Sequence, residues 1–206
     1  MNTYLGSHGL HNADNLDRIL EVLSYATNQY ASIMAVRVDF HYPPILDNGD
    51  TIGCFINREP GAISRSINSL KEILKNSERR RRRKSVRVHP NTLRDVWAKE
   101  FSQSGKCHFH VCFLFNEQAY NKLGDYNIDT SLRMMITRAW YSALGLELED
   151  YPGLVHFPDN CRYILDRNSA DYIYEYGELI QRLGYLTKLD SKIYEEGERN
   201  FGGSHK

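Results

Sequence analysis

No apolar run in the 206-residue sequence approaches the length of a membrane span. A spanning helix needs about 20 predominantly apolar residues in a row, so none is expected. The opening residues, 1–12, are polar and lack the basic-then-apolar order of a signal peptide. Cysteine is scarce: Cys54, Cys107, Cys112 and Cys161 are the four present, and no two have CxxC spacing. That excludes the usual zinc knuckle and the usual redox pair. Cys107 and Cys112 differ in parity and would face opposite sides of a strand, so reduced, partly buried thiols are expected. A cytoplasmic protein without membrane association is the expectation. There is no Gly-x-x-x-x-Gly-Lys-Ser/Thr; Ser104-Gly105-Lys106-Cys107 does not substitute for it. The chain therefore lacks a P-loop and is not expected to be its own helicase.

Net charge is also missing, since 26 basic residues balance 26 acidic ones. Global charge thus gives no reason to expect nucleic acid. Its distribution does: Arg79, Arg80, Arg81, Arg82, Arg83, Lys84 and Arg87 place seven positive charges within nine residues. Such a cluster creates a local field that attracts phosphate even on a neutral protein, although a solvated basic loop has the same appearance.

The content otherwise suits a globular chain, with 41% hydrophobic and 25% charged residues. Leu16, Ile19, Leu20, Leu23 and Ala26 recur at helical spacing over residues 15–30, with Asn12 and Asp14 as N-cap candidates. Residues 31–41 read as a strand with Met34, Val36, Val38 and Phe40 on one face. The other face, Ile33, Ala35, Arg37, Asp39 and His41, turns polar toward its end. After a loop with Asn48-Gly49-Asp50, a second helix is expected over about 61–77, the basic run closing it or lying just past it. Residues 92–101 and 106–115 read as strands joined by Ser102-Gln103-Ser104-Gly105. Helices are expected over 130–144 and 169–188, with a short strand at 162–165 between them; the tail, 195–206, is Gly-rich and polar. No internal repeat or linker interrupts the order. A single domain over residues 1–206 is expected: α+β, a central antiparallel sheet with helices packed mainly on one face.

His108-Phe109-His110 is the only His-x-His in the chain. Residues two apart on a strand share a face, so both imidazoles point one way while Phe109 enters the core. Two neutral imidazoles suit a divalent metal, and Mg²⁺ or Mn²⁺ would want a carboxylate beside them. Glu100, on the preceding strand with Val96 and Ala98, could reach them by antiparallel pairing. Register decides this, and Asp39 remains a reserve ligand. Of fourteen tyrosines, only Tyr185 begins a Tyr-x-x-Lys, ending at Lys188. On a helix these two would lie about one turn apart on one face, continued backward by Gln181, Glu178 and Tyr174. A phenol beside an ammonium suits a phosphoryl-transfer nucleophile; packing is the plainer use of a tyrosine.

Together these motifs resemble the HUH endonucleases with a single tyrosine. Further segments are similar to the YagK/YfjJ C-terminal-domain family of inovirus-type and satellite-element replication proteins. They are Arg37-Val38-Asp39, Val96-Trp97-Ala98-Lys99-Glu100, His108-Phe109-His110-Val111, Leu123-Gly124-Asp125-Tyr126, Gly153-Leu154-Val155-His156-Phe157-Pro158, Leu165-Asp166-Arg167-Asn168-Ser169 and Arg199-Asn200-Phe201-Gly202. The resemblance implies an RRM-like palm and a sequence-specific cut in single-stranded DNA at an origin. It implies a divalent metal, Mg or Mn, on His108, His110 and Glu100, with Tyr185 as nucleophile assisted by Lys188. The basic run would hold the DNA backbone, and a host helicase and polymerase would be partners. A relaxase, a single-strand transposase or a non-enzymatic DNA-binding regulator are the alternatives.

Overall fold

The computed structural model describes residues 2–6, 9–44, 56–57, 59–102, 105–190, 192 and 199–205. Asn48-Gly49-Asp50, Cys54 and the Gln103-Ser104 part of the expected turn lie outside the described residues. The chain begins with β1 (Thr3–Gly6), β2 (Gly9–Asn12), α1 (Ala13–Gln29) and β3 (Ser32–His41). It continues with α2 (Ala62–Arg83), β4 (Arg94–Phe101), β5 (Cys107–Asn116) and α3 (Leu132–Leu144). Two short strands follow, β6 (Val155–His156) and β7 (Arg162–Asp166), then α4 (Tyr172–Gly184) with a 3₁₀ turn at Tyr185–Thr187, and last β8 (Phe201–Gly203). The class is α+β. A two-stranded hairpin, β1-β2, accompanies a six-stranded sheet in the order β6-β3-β5-β4-β8, with β7 also on β3. The pairs β3·β7, β4·β5 and β4·β8 are antiparallel. No helix among the described residues is long and apolar enough to cross a membrane.

Contacts divide the chain into two compact units: residues 1–39, 90–121 and 157–206, and residues 40–89 and 122–156. In the first, the sheet face of Ile33, Ala35, Val96, Ala98, Cys112 and Leu114 meets Ile19, Val22, Leu23 and Ala26 of α1 and Leu179 and Leu183 of α4. All of these are essentially excluded from water, each larger side chain contributing about 1.5–3 kcal/mol by burial. Asn12 caps α1 as its spacing suggests, its side chain accepting from the Asn15 N–H (3.1 Å). In the second unit, α2 packs on α3, Ser131 caps α3 through the Met134 N–H (3.1 Å), and Phe40 stacks on Trp140 at 4.8 Å.

The basic run closes the second helix, the first of the two arrangements expected: the helix runs on past Ser77 to Arg83, with Arg79 to Arg83 its last turns and Lys84 its C-cap; cations there are favoured by the helix dipole. Three expectations are corrected. The residues before α1, read as merely polar, form a hairpin. The Gly-rich tail contributes β8, whose Gly202 lies opposite Trp97. A Cβ on Gly202 would come within 2.6 Å of the Trp97 ring, so main-chain pairing with no side chain is what lets this strand dock. Gly202→Ala is expected to cost about 1–3 kcal/mol, read as a lower urea midpoint at unchanged slope. Finally, the last helix stops at Gly184, short of Tyr185 and Lys188. The Gly184 carbonyl accepts from the Thr187 hydroxyl (2.7 Å), while the Lys188 N–H turns to Tyr185 O (3.2 Å). The α-helical ladder is thereby replaced by a 3₁₀ turn.

Candidate metal centre and nucleophile

The sheet face under α1 and α4 changes character along each strand. On β5 it passes from Leu114 and Cys112 to His110 and His108; on β4 from Val96 and Ala98 to Glu100; on β3 from Ile33 and Ala35 to Arg37 and Asp39. The apolar half anchors the strands, and the polar half holds the candidate site within the first unit. Antiparallel register sets Glu100 directly opposite His108 and Ala98 opposite His110. The ligand atoms of Glu100, His108 and His110 consequently lie within 4.8 Å of one another. His108 Nε2 is 3.3 Å from His110 Nε2, which is 3.5 Å from Glu100 Oε2.

Asp39 is not among those three. Its Oδ1 accepts from the other His110 nitrogen, Nδ1, at 2.7 Å and is also paired with Arg37, whose guanidinium donates to the Val38 carbonyl (2.7 Å). A proton on His110 Nδ1 leaves Nε2 with a lone pair facing the cluster. On the other imidazole, Nδ1 is 3.4 Å from the Lys106 carbonyl, which favours the same tautomer. Two ring nitrogens facing each other as acceptors at that separation repel unless a cation or a proton lies between them. A buried carboxylate beside them completes a donor set suited to a divalent ion, and the carboxylate–histidine pair behind it is the usual support for such a ligand.

Charge follows the same geometry. Burial opposes ionisation of Asp39, but the His110 hydrogen bond and the Arg37 charge outweigh it and hold the carboxyl well below its ordinary range. Burial pushes the His108 imidazole down, and the neighbouring His110 adds to that. For His110 burial works in the same direction, yet the bonds to Asp39 and Glu100 prevail and raise it. Asp39→Asn is expected to weaken metal binding about 10–100-fold, measured by titration calorimetry. Because its folded pKa is depressed, the charge of Asp39 stabilises the fold above the unfolded value near ~3.9, and this is lost as pH falls through the folded value. The wild-type advantage over Asp39→Asn in urea melts should accordingly shrink on acidification below about pH 4.

Tyr185 stands beside this cluster, its ring 5.6 Å from that of His110 at 75°. The Lys188 ammonium lies 4.8 Å from the Tyr185 ring centroid. The two residues meet as Tyr-x-x-Lys suggests, although through a 3₁₀ turn and not along one α-helical face. The N-terminal hairpin holds that turn. His11, almost fully buried, places Nδ1 2.8 Å from Thr187 Oγ1 and 3.1 Å from the Gly184 carbonyl. Tyr4 stacks on the His11 ring at 5.1 Å, and the Leu189 N–H donates to the Leu10 carbonyl (3.0 Å).

Arg79, Arg80, Arg82, Arg83, Lys84 and Arg87 are exposed and Arg81 half-buried, all in the second unit. Cys107, Cys112 and Cys161 are thiols; burial pushes that of Cys112 up to about 12, leaving it unreactive. Sequence reasoning missed Lys192. Its ammonium is buried, donates to the Leu186 carbonyl at 2.5 Å and lies 5.8 Å from the Phe201 ring centroid. Burial lowers it to about 8 against the attraction of Glu100. Nothing in its flanking sequence marks it.

The profile of the YagK/YfjJ C-terminal domain matches residues 1–204. The chain is 54% identical over 204 residues to the uncharacterized protein YagK of Escherichia coli (strain K12), covering 99% of this chain and 98% of that one. It is 37% identical over 205 residues to the uncharacterized protein YfjJ of the same strain, covering 98% and 99%. No solved structure matches it. With the match spanning both units and every residue of the candidate metal cluster, the chain belongs to the YagK/YfjJ C-terminal domain family.

Proposed function

We propose that this protein is a metal-dependent, single-tyrosine DNA nickase of the HUH class, serving a mobile element as its replication initiator in the cytoplasm. The observation that carries the reading is a phenol beside a converging His-His-Glu cluster, with an ammonium at the phenol ring. Glu100, His108 and His110 would hold the ion, and a mixed nitrogen–oxygen set favours Mn²⁺ over the more strictly oxygen-seeking Mg²⁺. Bound there, it would supply Lewis-acid polarisation of a scissile phosphate.

The chain's own groups do the rest. The Tyr185 oxygen attacks phosphorus and forms a phosphotyrosine bond, while the bond to the 3′ oxygen breaks. The 5′ end of the DNA is left on the protein, and a free 3′-hydroxyl becomes available to a polymerase. Lys188 offsets charge developing on the phosphate. The Arg79–Arg83 run with Lys84 and Arg87 binds backbone phosphates without reading sequence. With no P-loop in the sequence, a host helicase would open the duplex.

The test is to incubate the protein with Mn²⁺ and a randomised single-stranded DNA library and look for DNA that stays with the protein on a denaturing gel. A chelator-sensitive adduct on Tyr185 supports the reading. DNA retained on a native gel with no adduct under any metal would replace it with that of a non-enzymatic DNA-binding regulator.

A further inference from the structure

Beside Tyr185, wholly within the first unit, is an open polar cavity of about 540 Å³. Buried Arg37 lines it together with half-buried His110, Tyr163 and Tyr185. Glu178, Gln181 and Arg182 of α4 face it from one side and Asp159-Asn160 from another. Two features point to a ligand. Glu178 and Arg182 are four residues apart on a helix, the spacing at which opposite charges normally bridge, yet no ion pair forms between them among the described residues. Arg182 and Gln181 likewise make no side-chain hydrogen bond among the described residues. Asn160 lies at φ 53°, a left-handed conformation that asparagine adopts more readily than most residues.

We propose that this cavity is the subsite for the nucleotide adjoining the scissile phosphate, an inference that rests on the nickase reading above. The planar guanidinium of Arg182 offers a fork that matches a phosphate. Tyr163 provides a ring face for a base, a contact every base can make. Gln181 and Asn160 carry amides that can pair with a base edge in two-point fashion. The Glu178 carboxylate only accepts, so it favours a base with an exocyclic amine, adenine, cytosine or guanine, over thymine, which has none and whose O4 it would repel. The volume lies in the range of cavities that take small organic ligands, and its polar lining suits a nucleotide better than an apolar group. Phosphate contact by Arg182 would set register, and the amides and carboxylate would set sequence.

The experiment uses Tyr185→Phe protein, so that binding is measured without reaction. Fluorescein-labelled single-stranded DNA is followed by anisotropy, and the bound fraction of a randomised library is sequenced. The parent is expected to deplete thymine at one position, in favour of the bases that carry an exocyclic amine. Adding Arg182→Ala should weaken binding to all sequences about tenfold and reduce the salt slope by about 1. Adding Gln181→Ala should flatten the preference at that one position. Gln181 is exposed and Arg182 half-buried, and matching thermal melts would confirm that the variants fold. Variants that bind and select as the parent does, while wild-type protein forms a Tyr185 adduct, would overturn the subsite and leave the nickase standing. Thymine enriched at the affected position would also overturn it. No binding of single-stranded DNA and no adduct would overturn both.

Discussion

Tyr185→Phe is expected to remove the covalent DNA adduct, with a loss on the order of 10³-fold or more, as befits deletion of an attacking group. The substitution takes away one oxygen and little else. Tyr185 is half-buried, and two contacts that help position it, edge-on to His110 and beneath the Lys188 ammonium, are made by the ring. Phenylalanine keeps both, so folding, metal affinity and DNA binding should be unchanged within about 0.5 kcal/mol. That separation gives the result its force: an unaltered melting curve and unaltered DNA retention beside an absent adduct assign chemistry to the phenol. An adduct that persists would move the nucleophile to another tyrosine. The first to examine is Tyr174, 67% exposed on α4. Lys188→Met should reduce the rate less severely, because the lysine offsets charge at the phosphate and forms no bond.

The second large effect concerns the metal and is independent of DNA. Wild-type protein should melt higher with Mn²⁺ than with chelator, by about 2.7 kcal/mol at a free concentration of 100 Kd. His108→Ala combined with His110→Ala should abolish that gain, leaving one carboxylate of a three-membered donor set. Glu100→Gln should remove most of it, since the neutral amide is a poor ligand. It preserves shape at a position only 2% exposed, so its loss of metal response would not be a failure to fold. Without metal, the double variant also deprives Asp39 of its hydrogen bond from His110 and leaves it to Arg37. Breaking one member of a partly buried charged group is costly, and some loss of stability in chelator is therefore expected alongside the lost response. A double variant that still responds to Mn²⁺ as the wild type does would place the ion elsewhere.

What could be read early is what depends on near neighbours. Alternation put His108 and His110 together on one side of β5, Glu100 with Val96 and Ala98 on β4, and Asp39 with Arg37 on β3, because side chains two apart on a strand share a side whatever the rest of the chain does. The helices of α1, α2 and α3 followed from apolar spacing and, at α1, from the Asn12 cap. The strands that escaped were β1, β2, β6 and β8, each of four residues or fewer, with no periodicity to announce them. They exist because main-chain groups elsewhere await partners: the Lys99 N–H donates to Asn200 O at 2.8 Å, and Gly202 is the residue that fits against Trp97.

By itself, then, the sequence determined the residue types of the site, the face each occupies and the α+β order of elements, all properties of chain stretches a few residues long. Tertiary structure decided which groups face which. Antiparallel register chose Glu100 for the cluster. A hydrogen bond across 71 residues made Asp39 the support of His110. Contacts across 173 and 176 residues, from His11 to Gly184 and Thr187, fasten the turn that carries Tyr185. Such pairings depend on how distant segments pack, and no local pattern of side chains encodes a partner so far along the chain.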